Sequence, residues 1–274
     1  MGHDSNRCAL AGTGSSTSEL ESFAVDPANF PAGLCVSMAS TGLPSLLKSA
    51  GMRMGVSKGK PLADHSQTAI LRTGLRVPVK AAMKRATGVV TISSYANLVS
   101  GTDDALDVAG VSFVAQAGAA TPGDATFQAA TSNNATAVSL AAQINAHATA
   151  STKVYAVVTS SGVVTLYAVT AGVGSTGTGN DVAVAYTDND TNVGITLSGL
   201  SGGKLSGGSD TYSDIAYVTK GAKMYINDVT GEADIAMSGF STISDATYMD
   251  APKIGIAEDG SEVAAVIVDM TGGL

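Results

Sequence analysis

The chain has 274 residues, 45% of them apolar, with a formal net charge of -8 and only 14% charged side chains. That balance excludes a disordered polyelectrolyte, and the length is enough to bury a sizeable core in one or two domains. With three His and two Cys, a catalytic or metal centre would have to be built almost wholly from carboxylates and hydroxyls, so no enzyme, cofactor or metal is expected.

In chain order, residues 1–22 are rich in Gly, Ser and Thr and read as a flexible N-terminal arm. They lack the apolar core of a signal peptide, and Asn6 stands where an acylation signal needs Ser or Thr. Cys8 in this arm and Cys35 beyond it read as two thiols, with a bridge between subunits as the alternative. Short strand-like runs follow at 33–38, 54–59 and 75–79.

Between 48 and 85 lie Lys48, Arg53, Lys58, Lys60, Arg72, Arg76, Lys80, Lys84 and Arg85, with Asp64 as the only acid. The first 88 residues net +5 and the remainder -13. Such a stretch is either a solvated basic face or a docking surface for an acidic partner. Nucleic acid is not the expected partner, because the whole chain is acidic and this segment has no aromatic side chain to stack on a base.

From 89 to 209 the composition shifts to Ala, Thr, Ser, Gly and Val, and the segment reads as an inserted module of about six strands and one helix. Ala109-Gly110 between Val108 and Val111 is a two-residue hairpin signal. Thr131, Ser132, Asn133 and Asn134 offer helix-capping oxygens, and Val138, Ala141, Ala142 and Ile144 recur at helical steps up to Ala148. Runs 154–159 and 163–170 form a second hairpin through Ser160-Ser161-Gly162, and runs 181–187 and 193–200 flank a polar turn at 188–192. Residues 199–208 read as a Gly/Ser-rich return linker. No run of about 20 apolar residues exists, so no membrane span is expected.

The site-like motifs are weak. Gly172-Val173-Gly174-Ser175-Thr176-Gly177 matches a dinucleotide fingerprint, but the following residues alternate as a strand where a helix must start. Asp188, Asp190 and Asn192 have the oxygen spacing of a calcium loop, yet Val193 and Gly199 stand where a Gly and a bidentate Glu belong, so an Asx-rich turn is expected. His147 reads as a helix C-cap, His65 as a loop residue and His3 as part of the arm. Asp103-Asp104 and Glu258-Asp259 fit turns.

After the return, Lys220-Gly221-Ala222-Lys223-Met224-Tyr225-Ile226, Thr230-Gly231, Ile254-Gly255-Ile256-Ala257 and the Val-rich run 263–268 resemble the capsid cement, or head decoration, proteins of tailed phages. The likeness covers about 55 residues here and about 50 near the N-terminus. The helix Ala137-Val138-Ser139-Leu140-Ala141-Ala142-Gln143-Ile144-Asn145 is similar to that of an Ala/Thr-rich domain of phage virion and bacterial surface proteins.

The resemblance implies a mainly β (α+β) chain. A small β-barrel-like base of 23–88 and 210–274 would carry the module 89–209. It implies a structural virion protein on the outer surface of the phage head, with the major capsid protein and further copies of itself, as a homotrimer, for partners. The basic residues 48–85 would face the capsid, and 89–209 would face outward toward a host surface. A tail or fibre component, or a cell-surface adhesion or carbohydrate-binding module, are the alternatives.

Overall fold

A computed structural model describes residues 7–9, 19–23, 32–38, 44–45, 53–58, 68–73, 76–101, 103–211, 220–236, 241–250, 253–257, 261–272 and 274. The chain is mainly β, and it divides into two compact units, Met1–Met83 with Thr211–Leu274 and Lys84–Asp210.

In the first unit the run Glu262–Asp269 (EVAAVIVD) is apolar on both faces, which suits a strand covered from two sides. It is central to a seven-stranded sheet ordered Arg7–Ala9, Lys253–Ile256, Glu262–Asp269, Ser241–Tyr248, Lys223–Asn227, Ala233–Asp234, and it also pairs with Val77–Lys80. The register sets Val266 opposite Val79 and Val268 opposite Val77, so strands from the two ends of the chain interlock. Pro78 is tolerated because Val77–Lys80 pairs with only one neighbouring strand.

A second, five-stranded sheet runs Glu19–Phe23, Thr68–Thr73, Arg53–Ser57, Cys35–Met38, Pro44–Ser45. Cys35, Val56 and Leu71 from this sheet share one core with Val79, Met224, Ile226, Tyr248, Val266 and Val268 from the other. Gly55 has no room for a side chain, since a Cβ there would run into the Leu71 carbonyl of the next strand.

Two expectations change here. None of the described sheets closes into a barrel, because their outer strands are short and do not meet to complete a ring. The described parts of the N-terminal segment are strands, with Arg7–Ala9 parallel to Lys253–Ile256 and Glu19–Phe23 antiparallel to Thr68–Thr73.

The second unit holds two four-stranded sheets and one α-helix. The first sheet is ordered Thr126–Gln128, Val111–Gln116, Ala105–Val108, Val184–Thr187, and the second Val154–Ser160, Val163–Ala171, Arg85–Ile92, Ile195–Ser198. Arg85–Ile92 is continuous across the expected boundary at 88, and Lys84 opens this unit. Phe113, Phe127, Leu106, Leu140, Ile144, Leu166, Val90 and Ile195 form its core. Ala109 and Gly110 have φ of 55° and 84°, both positive as the two-residue turn requires.

The helix Asn133–Ala146 starts where Ser132 Oγ accepts from the Ala135 N–H at 3.1 Å. Its buried stripe is Ala137, Leu140, Ala141 and Ile144, while Val138 is 51% exposed and Ala142 faces solvent. Of the expected stripe, Ala141 and Ile144 are buried, while Ala137 and Leu140 take the places expected of Val138 and Ala142. Polar side chains of the same helix stitch its surroundings. Asn145 donates to the Ala156 carbonyl and accepts from the Ala156 N–H, both at 2.8 Å, on the outer edge of strand Val154–Ser160. Ser139 Oγ accepts from Gln128 N at 2.8 Å on the edge strand of the other sheet. Asn133 accepts from Tyr95 N and donates to the Ser93 carbonyl.

The stretch expected to be a linker is a tight hairpin, Leu200–Ser201 against Lys204–Leu205. Gly202 and Gly203 both have positive φ, as its two-residue turn demands. Leu205 is buried, and Leu200 packs on the same core. Ten strands and one α-helix make up this unit among the described residues, more than the six strands expected.

Candidate functional site

The nine basic residues of 48–85 meet different fates. Arg72, at the end of strand Thr68–Thr73, and Arg76 are exposed. Arg76 sits in the left-handed region at φ 58°, uncommon for a residue with a side chain, and its guanidinium donates to Asp250 at 2.5 Å. An exposed pair of this kind contributes about 0–1 kcal/mol, so Arg76 can exchange Asp250 for an outside carboxylate at small loss.

Lys80 is half-buried and paired with Glu232 at 3.1 Å. Lys58 is half-buried too, and desolvation pulls its ammonium below the ordinary lysine range. Arg53 lies in strand Arg53–Ser57, and Lys48 and Lys60 lie outside the described residues. Lys84 is exposed but belongs to the other unit.

Arg85 does not fit a docking role. It is 6% exposed, and its guanidinium donates to the Ala168 carbonyl at 3.0 Å and to that of Val169. It braces strand Val163–Ala171 from within. Among the described side chains of this set on the first unit, Arg72 and Arg76 are the exposed ones. Sequence pattern could not separate them from Arg85, because charge alone carries no information about burial.

A cluster of acids appears in the second unit. Asp104, Asp188 and Asp190 bring carboxylate oxygens within 4.8 Å of one another. Asp104 is fully buried, accepting from Asn189 N at 2.9 Å and from the Tyr186 hydroxyl, which in turn accepts from Gly194 N at 3.0 Å. Asp188 accepts from Asp190 N and Thr191 N, and Asp190 from Asn192 N and Ser100 Oγ. These bonds hold Asp190 below the usual carboxylate range, the Asn192 amide contributing most. Burial, then the bond to Asp104, pushes Tyr186 up to about 12. Both oxygens of Asp104 and of Asp190, and Oδ1 of Asp188, accept from protein donors, and the Asp188 and Asp190 bonds to amides two and three residues on are those of an Asx-rich turn. Asp104 meets this turn from the segment before strand Ala105–Val108, a meeting that the sequence does not reveal.

The Gly172–Gly177 motif is followed by a single turn, Gly179–Asp181, and not by an α-helix. Asp181 closes the loop by accepting from Gly177 N at 2.6 Å and pairing with Lys204, and Asn180 exchanges two hydrogen bonds with Gly208. Among the described residues no α-helix starts directly after this loop, where the fingerprint would place one. His147 caps the helix through its backbone N–H to the Gln143 carbonyl, and its Nδ1 accepts from Thr149 N and Ala150 N. Its ring meets Phe113 edge-on at 5.6 Å. Cys35 is a buried thiol in the core of the first unit. His3, His65 and the Glu258-Asp259 turn lie outside the described residues.

No family model matches the sequence, and no curated protein matches it. Among solved structures the chain is similar to one from Mycobacterium phage Patience, at 13% identity and a TM-score of 0.38, with 94% of this chain and 93% of that one covered.

Proposed function

We propose that this chain is a structural virion protein that docks on the outer surface of a phage head and cements its shell, with the major capsid protein as partner and a homotrimer as its assembled form. The observation that supports it most is the interlocked base. The strands that carry the cement-protein likeness, Lys223–Asn227, Lys253–Ile256 and Glu262–Asp269, lie in one sheet with Val77–Lys80 from the other end of the chain. A body tied together in this way resists being pulled open from either end, as a shell clamp must. Arg72 and Arg76 on this unit supply positive charge for an acidic capsid surface.

The test is co-sedimentation of the purified chain with heads assembled without it, at about 0.1 M salt, where charges are screened beyond about 10 Å. Saturable binding is expected, weakened at least fivefold by Arg72→Glu with Arg76→Glu while Tm stays within a few degrees. Heads that take up none of the unaltered chain would overturn the reading. Sedimentation equilibrium at a mass three times that of one chain checks the trimer.

A further inference from the structure

We propose that the loop 172–181 of the second unit binds an oxyanion of the phosphate or sulfate type, free or carried on a sugar. The loop leaves the sheet after strand Val163–Ala171 and folds back on itself. Asn180 N donates to the Val173 carbonyl at 2.8 Å, the Asn180 side chain holds Gly208 through two bonds, and Val173 N donates to Asp210 at 2.9 Å. Gly174 and Gly179, both at positive φ, let the two limbs touch, since a Cβ on either would run into the backbone of the other limb. Val173, Gly174, Ser175, Thr176, Asn180 and Asp181 thereby line an open cleft of about 340 Å³, inside the range of about 300–1,000 Å³ for small-molecule sites. Because the protein's own bonds already fix its shape, a ligand pays little ordering entropy there.

The donors of this cleft are in excess. The N–H groups of Val173, Ser175 and Gly177 are engaged by Asp210, Thr178 Oγ1 and Asp181. Those of Gly174 and Thr176, between them in sequence, make no hydrogen bond among the described residues, and neither does the Thr176 hydroxyl. Half-buried Lys153 brings its ammonium beside Gly177, 3.8 Å from where a Cβ of that residue would lie, and it has no ion pair or hydrogen bond among the described residues. Asp181, the acid in the wall, has one oxygen on Gly177 N and the other on Lys204. Its charge is compensated within the loop, whereas that of Lys153 is not.

The distribution of charge points the same way. Between Lys84 and Asp210 there are eight Asp and four basic residues. All four basic residues adjoin this loop: Lys84 and Arg85 meet Gly172, Lys153 meets Gly177 and Lys204 meets Asp181. Six of the eight acids, Asp103, Asp104, Asp107, Asp124, Asp188 and Asp190, lie on strand Ala105–Val108 or in other loops. An anion repelled by the rest of the unit is therefore steered here. A tetrahedral oxyanion offers several acceptor oxygens to the ammonium, the two amides and the hydroxyl, and such charge-assisted bonds are the strong ones. Val173, 41% exposed, gives an apolar wall for a ring attached to it. The inference does not depend on where the first unit docks.

The test follows the backbone amide resonances of the isotope-labelled full chain while sodium phosphate, sodium sulfate or glucose 6-phosphate is added, with sodium chloride holding ionic strength constant. Saturable shifts at Gly174 and Thr176 are expected with at least one of the three, and none with glucose. Lys153→Gln should weaken binding at least fivefold, Lys153→Met should do the same while keeping the packed stem, and Lys153→Arg should retain it. Lys220→Gln, exposed on the first unit, should leave it unchanged. Tighter binding of glucose 6-phosphate than of inorganic phosphate assigns a sugar-borne group, and equal binding assigns the free ion. The proposal is overturned if none of the three anions shifts residues 173–180 saturably, or if the shifts persist undiminished in Lys153→Gln and Lys153→Met.

Discussion

Tyr186 ties two loops together with one oxygen. Its hydroxyl donates to the buried carboxylate of Asp104 and accepts from Gly194 N, so Tyr186→Phe strips a charged acceptor of a partner and leaves an amide unmet. Hydrogen bonds to charged groups contribute about 1.5–3 kcal/mol, and a loss of that order is expected in urea unfolding. The same group sets an alkaline limit. Its folded-state value is raised from 10 to about 12, so its contribution is complete below pH 10 and disappears as pH rises through about 12. Tm measured from pH 8 to 12 should fall over that window, and the fall should be smaller in Tyr186→Phe. Little of this was legible in the sequence. The spacing of Asp188, Asp190 and Asn192 pointed to an Asx turn, but Asp104 joins it from a separate loop, and local pattern carries no trace of such a meeting. Arg85 teaches the same lesson for charge, since the carbonyls of Ala168 and Val169 that hold it lie on a distant strand.

At the next scale, the helix Asn133–Ala146 shows what local pattern can and cannot deliver. Ser132 was one of four capping oxygens legible before the Ala-rich run, because a side-chain acceptor before an apolar repeat is a local device. Half of the buried stripe, Ala141 and Ile144, is legible, and the rest is not, because two overlapping series, one through Val138 and one through Ala137, obey similar spacing. The choice between them is made by the sheets against which the helix packs. Asn145 then acts as a substitute strand, satisfying both backbone groups of Ala156. Asn145→Ala should cost about 2 kcal/mol, from two bonds of about 1 kcal/mol each. Asn145→Asp should lose the donor to the Ala156 carbonyl while keeping an acceptor for its N–H. Chemical denaturation should therefore rank wild type above both variants. Residues 199–208 have the composition of a linker, yet Leu200 and Leu205 anchor a hairpin there. Two leucines among glycines outweigh the composition once a core lies beneath them.

For the whole molecule, Cys35–Met38, Arg53–Ser57, Val77–Lys80, Lys223–Asn227, Lys253–Ile256 and Glu262–Asp269 are legible from their apolar runs, while Glu19–Phe23, Thr68–Thr73, Ser241–Tyr248 and the pairing of Val77–Lys80 with Glu262–Asp269 are not. Register between segments so far apart depends on the intervening unit bringing them together. Barrel closure was expected from the same strands and fails because a ring needs its first and last strands to pair. The division into two units makes calorimetry informative. Two overlapping transitions are expected for the full chain, and replacing residues 85–208 by a short Gly/Ser linker should leave one.

The second unit begins and ends at one place, for the Lys84 carbonyl accepts from both Gly172 N and Ser209 N. While that unit is folded, the two severed ends of the first unit are held a few ångströms apart. Melt it, and they are joined only by a floppy tether of about 125 residues, whose closure by the (3/2)RT ln n rule is dearer by roughly 3 kcal/mol than that of a five-residue loop. Thermodynamically the second unit thus braces the chain ends that lead into it: a lesion within it, such as the loss of Asn145, would loosen the first unit through chain entropy alone.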